Sequence, residues 1–143
     1  MPPTMQQIAD RAVALAGTPF RHQGRQPGLG VDCLGVLVCA VGREAELVDR
    51  RDYPEDPPGD RLLPLLEERA VELQHACVDA APVGAILTFW EDVEDRAHVR
   101  HVAIRTSGGI VHAIRKRPAR EVAISAYWRH HFWRAFRWSS ASG

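Results

Sequence analysis

The chain opens with the pattern of an amphipathic helix. Thr4 and Gln7 have the spacing of a capping box, and apolar side chains then recur at helical intervals as far as Ala16. Gly17 and Pro19 are typical of a helix end, because glycine adopts the left-handed cap and proline cannot continue the helix. The pattern predicts one helix that buries a single face.

A loop and a second helix follow. Residues 20–31 are rich in glycine, proline and arginine, which predicts a loop. Residues 33–41 are apolar on every face, which is typical of a helix that is buried all round. Asp32 stands where a helix N-cap is expected, so Cys33 falls in the first turn of the helix.

The middle of the chain predicts a connection and a third helix. Residues 42–60 are polar and contain three prolines, which indicates a long surface connection. A second amphipathic pattern predicts a helix near Pro64 to Ala76.

The second half of the chain has the sequence pattern of a β-sheet. The sequence Ser107-Gly108-Gly109 is a hairpin signal between two apolar segments. We expect strands at Ala85–Trp90, Val99–Thr106, Ile110–Ile114, Glu121–Ile124 and Phe132–Trp138. Helices followed by strands predict an α+β fold, with one domain over residues 1–143 and an antiparallel sheet of about five strands.

Composition and charge exclude several classes of protein. The chain has 143 residues with 18 basic and 18 acidic side chains, so no net charge attracts it to nucleic acid. Residues 115–137 are rich in basic side chains, so the sequence does not exclude contact of this segment with an anionic partner. The three cysteines include no C-x-x-C pair, which argues against a disulfide framework and a zinc ribbon. We expect no membrane span and no signal peptide.

Cys33 is the first candidate for chemistry. A thiol is mostly protonated at neutral pH, and a helix N-terminus is one of the few places that favours the thiolate. We therefore expect Cys33 to be a reactive cysteine with a depressed pKa. Cys39 and Cys77 are instead interpreted as packing or end-of-helix residues.

Two histidines supply the base that a thiol nucleophile needs. His101 and His112 lie on the two predicted hairpin strands, where they fall opposite each other or one pair apart. His98 is three residues before His101 and would point to the other face of its strand. Among the remaining histidines, His22 either lines a cleft or is solvated, and the others are expected at the surface: His75, His130 and His131.

Four motifs in this order are specific enough to indicate a family. They are GTPFRHQG, VDCLG, HVAI and IVHA, and they resemble the pattern of the NlpC-type cell-wall cysteine peptidases over residues 14–113. The form RHQGRxPGxGVDCLG resembles the branch found in phage tails and gene-transfer agents. The resemblance implies a papain-like fold in which Cys33 is the nucleophile, His101 the general base and His112 the residue that orients it.

The resemblance also implies a substrate and a setting. The substrate is the peptidoglycan stem peptide, typically cut between D-glutamate and a diamino acid, and no metal or organic cofactor takes part. The partners would be phage or gene-transfer-agent tail-tip proteins. The chain would be made in the host cytoplasm and carried in the virion tail, where it opens the wall during delivery.

Two positions depart from the family pattern. Phe20 replaces a tyrosine whose hydroxyl lies near the nucleophile, and Leu34 replaces a serine. Asp32, interpreted as an unpaired carboxylate at the mouth of the cleft, predicts a preference for stem peptides with a free amine. Asp32, His22 and Phe20 are thus the expected substrate-binding residues.

Three alternatives remain at this point. The same fold could serve as a catalytically silent tail-tip module, which Phe20 and Leu34 favour. It could also act as a thiol amidase or acyltransferase. A zinc site of Cys33, His101 and His112 is conceivable by residue type, but no fourth ligand has a supporting spacing. The C-terminal aromatic residues fit core and edge packing better than a sugar-stacking platform: Trp128, Phe132, Trp133, Phe136 and Trp138.

Overall fold

The computed structural model describes residues 2–54, 59–74, 77–91 and 99–143, and only the backbone of residues 59–61. Its helices are α1 (Met5–Ala14), α2 (Cys33–Val41), α3 (Arg43–Glu46), α4 (Gly59–Arg69) and α5 (Ala126–His131), with a 3-10 helix at Val78–Ala80. Its strands are β1 (Arg25–Gln26), β2 (Gly30–Val31), β3 (Ala70–Leu73), β4 (Ile86–Trp90), β5 (Val99–Thr106), β6 (Gly109–His112), β7 (Arg120–Val122) and β8 (Phe132–Trp138).

Six of the strands form one antiparallel sheet in the order β3-β8-β4-β5-β6-β7. The predicted α+β class is confirmed, but the sheet has more strands than the five expected. The additional strand is β3, which pairs with β8 through Ala70 opposite Trp138 and Leu73 opposite Ala135. The short strands β1 and β2 form a separate hairpin inside the predicted loop 20–31.

The prediction of a helix near Pro64 to Ala76 is wrong about where the helix begins and where it ends. Helix α4 begins earlier, at Gly59, and the chain turns into strand β3 at Ala70. The strand is favoured because the edge of β8 offers backbone hydrogen-bond partners that a continued helix would leave unused. Residues 75 and 76 lie outside the described residues.

Helix α2 is the centre of the core. It packs against both α1 and β5. Apart from Cys39, every one of its residues is buried, as the apolar sequence predicts. Asp32 caps the helix by accepting a hydrogen bond from the backbone N–H of Gly35 at 2.7 Å. The cap fixes where the helix begins, and so it places Cys33 in the first turn.

The β5–β6 hairpin closes over two turn residues, as its glycines predict. Thr106 pairs with Gly109, and Ile104 pairs with Val111. Continued along the strands, this register puts His112 two residues away from the position opposite His101. Because side chains alternate between the faces of a strand, the two histidines share one face of the sheet.

Candidate active site

Cys33 lies at the first position of α2, with its side chain buried. Backbone hydrogen bonds from Val102 and Leu34 favour the thiolate form of the sulfur. Val102 follows His101 on β5, so the sulfur lies beside the strand that carries the predicted base. The N-cap and the core packing of α2 together place the thiol against β5.

The thiol is not activated in the way the sequence suggested. Burial, and after it the negative charge of Asp32, raises the pKa of Cys33 to about 12. The hydrogen bonds from Val102 and Leu34 oppose this shift but are weaker. The expectation of a depressed pKa is therefore wrong for the ligand-free protein, because removal of the sulfur from water outweighs the helix N-terminus.

His101 and His112 form a hydrogen-bonded pair. The Nε2 atom of His101 lies 3.0 Å from the Nδ1 atom of His112, and the rings meet edge to face at 5.2 Å between centroids. Burial lowers the pKa of His101 to about 3, with a further contribution from His112. Burial, and then the charge of Arg120, lowers the pKa of His112 to about 4. Both rings are therefore neutral at neutral pH.

The hydrogen bond between the rings determines which nitrogen can act as a base. When His101 carries its proton on Nε2 and donates it to His112, its Nδ1 keeps a free lone pair. That nitrogen can then take a proton from a thiol. The contact is compatible with the predicted role of His112, which is to orient the ring of His101 and select its tautomer.

Trp128 covers the histidine pair from the outside. Its ring stacks on His101 at 5.5 Å and 24°, and it meets His112 edge on at 4.8 Å. It also contacts Phe89 edge on at 5.0 Å between centroids. The indole therefore contributes to the burial that lowers the pKa of both histidines.

Asp32 is not the unpaired carboxylate that the sequence suggested. Its Oδ1 accepts from Gly35 N at 2.7 Å and from Arg25 Nη1 at 3.0 Å. Its Oδ2 accepts from Gln23 N at 2.9 Å and from the hydroxyl of Tyr53 at 2.5 Å. The carboxylate thus holds the loop before the nucleophile and the side chain of Tyr53 in place.

Arg25 and Tyr53 complete this buried network. Arg25 also forms a bidentate contact to Asp49, at 2.8 and 3.2 Å, and donates to the hydroxyl of Tyr53 at 2.9 Å. Burial, and then the hydrogen bond to Asp32, raises the pKa of Tyr53. The phenol consequently stays protonated and donates to Asp32.

One cavity of about 340 Å³ contains the thiol and its predicted base. It is lined by Phe20, His22, Asp32, Cys33, Tyr53, Phe89, Trp90, Glu91, Arg100, His101, Ala113, Ile114, Arg115, Tyr127 and Trp128. Five of the six residues predicted for the site line it, and the sixth, His112, touches it through His101. Their roles in catalysis and substrate binding stay predictions.

Some predicted features lie elsewhere. His130 is exposed on α5, and His131 on the same helix stacks on Tyr127 at 4.0 Å. His75 and His98 lie outside the described residues, so the contrast between His98 and His101 stays a prediction. Cys39 is half-buried, whereas Cys77 is exposed and precedes the 3-10 helix, so the interpretation of Cys77 as a packing residue at a helix end is wrong.

Three residues of the site have no signal in the sequence strong enough to select them. They are Arg25, Tyr53 and Trp128. Tyr53 is an aromatic residue directly before Pro54 in a polar segment, and its near-complete burial is the reverse of what that segment predicts. Trp128 belongs to α5, a helix of six residues that the periodicity did not indicate.

The described part of the chain holds no group of three His, Cys, Asp or Glu side chains placed to bind a metal ion. Within the same residues, no helix is long and apolar enough to span a membrane.

Solved structures resemble this fold, although neither a family model nor a curated protein matches the sequence. NlpC1 from Trichomonas vaginalis superposes with a TM-score of 0.63 over 94% of this chain, at 16% identity. A lipoprotein-like protein of the NLP/P60 family from Staphylococcus aureus superposes with a TM-score of 0.56 over 93%, at 22% identity. This chain spans 44% and 40% of the length of those two chains.

The chain therefore has the papain-like α+β fold seen in NlpC/P60 structures. The predicted fold is confirmed by these two neighbours. At these identities the likeness establishes the fold, and the chemistry has to be argued from the site itself.

Proposed function

We propose that this protein is a cysteine peptidase that hydrolyses peptide bonds of the bacterial peptidoglycan stem, of the D-glutamyl to diamino acid type. The supporting observation is that Cys33 and His101 line one cavity, with His101 hydrogen-bonded to His112. A thiol, a neutral imidazole with a free nitrogen and a third group that orients it are the parts that acyl transfer requires. The fold is the one found in NlpC/P60 proteins.

The mechanism begins from a neutral pair, because the pKa of Cys33 is raised to about 12 and that of His101 lowered to about 3. As the sulfur of Cys33 bonds to the substrate carbonyl carbon, its proton passes to Nδ1 of His101. Backbone N–H groups at the start of α2 stabilise the oxyanion. The C–N bond then breaks, and His101 returns the proton to the leaving amine.

Water completes the reaction. His101 takes a proton from water, the hydroxide adds to the thioester, and the sulfur of Cys33 leaves and recovers its proton. His112 accepts a hydrogen bond from Nε2 of His101 throughout, which keeps the ring in one orientation. Each step uses only the three side chains and the helix start.

Mass spectrometry of the muropeptides released from purified peptidoglycan tests this function. The native protein should release new stem fragments, whereas Cys33→Ala should release none. Cys77→Ala is the matched control, because Cys77 is exposed and does not line the cavity. The proposal fails if native protein and Cys33→Ala give the same fragments. Identifying the broken bond also separates a peptidase from an amidase or acyltransferase.

We also propose that the protein belongs to the tail of a phage or gene-transfer agent, with tail-tip proteins as its partners. The support is the loop and helix sequence RHQGRxPGxGVDCLG. Its presence in purified particles, measured by peptide mass spectrometry, tests this setting.

A second candidate is a catalytically silent tail-tip module. One observation favours it, namely that burial raises the pKa of the Cys33 thiol to about 12. A thiol-reactive probe that labels Cys77 but never Cys33, together with an absence of released fragments, would support this candidate over the peptidase.

A further inference from the structure

The carboxylate next to the nucleophile has no acceptor position left for a substrate. A carboxylate offers about four lone-pair sites. In Asp32 those sites are filled by Gly35 N, Gln23 N, Arg25 and Tyr53. All four partners belong to the protein, so a substrate ammonium would have to displace one of them.

Displacement is unfavourable because the network is buried and connected. The side chains of Arg25 and Asp32 are 8% and 5% exposed, and Arg25 is held on its other edge by Asp49. The backbone of Gln23 donates to Asp32, while its side chain donates to the carbonyl of Tyr53 at 2.9 Å. Moving any one donor would therefore break contacts made by its neighbours.

The second carboxylate among the described residues of the cavity wall is also paired. The Oε2 atom of Glu91 lies 3.2 Å from the Nη1 atom of Arg100. Around Asp32 the wall is aromatic, since Phe20 lines the cavity and His22 meets Tyr53 edge to face at 5.4 Å. A buried ammonium requires hydrogen-bond acceptors for its three N–H groups, and a carboxylate whose sites are already filled by protein donors supplies none without losing one of those donors.

We propose that the site takes a stem peptide whose amino end is uncharged, as in an acylated or glycan-linked stem, and disfavours one with a free α-amine. The inference rests on the proposed peptidase function and names its substrate class. It reverses the preference for a free amine that an unpaired Asp32 would give. Its natural substrate is then intact wall rather than released stem peptide.

Two stem peptides that differ only in N-acetylation test the inference. The native protein should cleave the acetylated peptide about tenfold better in kcat/KM. Tyr53→Phe removes one donor from Asp32, so its ratio of acetylated to free peptide should fall several-fold. Tyr127→Phe is the matched control, since this exposed tyrosine lines the cavity but packs on Trp128 and His131.

The ratio is measured on one sample of each variant, so a partly unfolded Tyr53→Phe protein still reports it. An equal rate on both peptides, or a better rate on the free amine, would overturn the inference. A shift in Tyr127→Phe as large as that in Tyr53→Phe would overturn it too, because the effect would not then arise at Asp32.

Binding to Cys33→Ala separates this inference from the peptidase function. Fluorescence anisotropy with the same two peptides, labelled at the carboxyl end, needs no turnover. Stronger binding of the acetylated peptide without cleavage by native protein supports the inference and overturns the peptidase. Cleavage by the native protein without a preference in binding does the reverse, and the absence of both binding and cleavage overturns both.

Discussion

The indole of Trp128 lies nearly parallel to the imidazole of His101, with 5.5 Å between ring centroids and 24° between planes. Trp128 comes from α5, a short helix with no buried residue. The helix is attached to the 3-10 helix by a bidentate contact of Arg129 with Asp79, at 2.8 and 3.0 Å. His101, the predicted base, is therefore covered by the side chain of Trp128, and the helix that carries Trp128 is held by an ion pair at the surface.

Replacing Trp128 should change the pKa of His101 more than the stability of the fold. Trp128→Ala exposes His101, so we expect its pKa to rise toward the ordinary value and kcat to fall roughly tenfold, given the usual strength of an aromatic contact. Trp128→Phe keeps a stacked ring and should recover most of the rate. An NMR titration of His101, with kcat measured against pH, checks both.

Trp133→Ala is the control for this change, because Trp133 packs on Trp90 and is absent from the cavity wall. If Trp133→Ala shifts the titration of His101 as much as Trp128→Ala does, the stacking has no specific role.

The hydrogen bond between the two histidines predicts that His112 acts as a positioning residue. His112→Leu removes the acceptor and should lower kcat by roughly a hundredfold, with little change in KM. His112→Asn places a side-chain oxygen near the former Nδ1 and should restore part of the rate. Steady-state kinetics on the two variants decides this. Equal activity of His112→Leu and native protein would show that His101 needs no partner.

The reactivity of the cysteines should follow their burial. The pKa of Cys33 lies near 12 and Cys77 is exposed. In the ligand-free protein we therefore expect iodoacetamide to alkylate Cys33 more slowly than Cys77, with a rate that climbs throughout about pH 6 to 10. Mass spectrometry of the peptide carrying each cysteine gives the two rates. A plateau for Cys33 reached below about pH 8 would mean that the thiolate forms at rest.

The histidine pair should make the fold sensitive to acid. The folded pKa values of His101 and His112 are about 3 and about 4, below the ordinary 6.5. Between these limits the unfolded chain binds more protons, so stability is full above pH 6.5 and falls as pH drops. The loss should reach at most about 1.4 kcal/mol per pH unit for each histidine.

Urea unfolding at several pH values between about 7.5 and 4.5 measures this slope. His101→Gln combined with His112→Asn should flatten it. His130→Gln, which changes an exposed histidine, should leave it as it is. A slope unaffected by the double change would place the acid sensitivity in other groups.

The parts of the site that local sequence determines could be predicted. An apolar run after an N-cap aspartate defines α2 and the position of Cys33. A two-residue turn sets the register of β5 and β6. That register alone places His101 and His112 on the same face of the sheet. These features depend on neighbours in the chain or on a single hairpin.

The parts that depend on distant contacts could not be predicted. Tyr53 reaches Asp32 across the connection after α2, and no periodic pattern marks it. The strand β3 exists because β8 lies beside it, although its sequence continues a helical pattern. The pKa of Cys33 depends on how completely the core excludes water from its sulfur, which a motif does not encode.

The proposed nucleophile and its proposed base belong to separate parts of the chain, α2 and the β5–β6 hairpin. During synthesis the ribosome releases Cys33 well before His101 and His112 have been made. Contacts so distant in sequence form late in folding, after local structure. The nascent protein therefore carries a thiol without its imidazole partner, and the complete site that we propose forms only once the whole sheet has assembled.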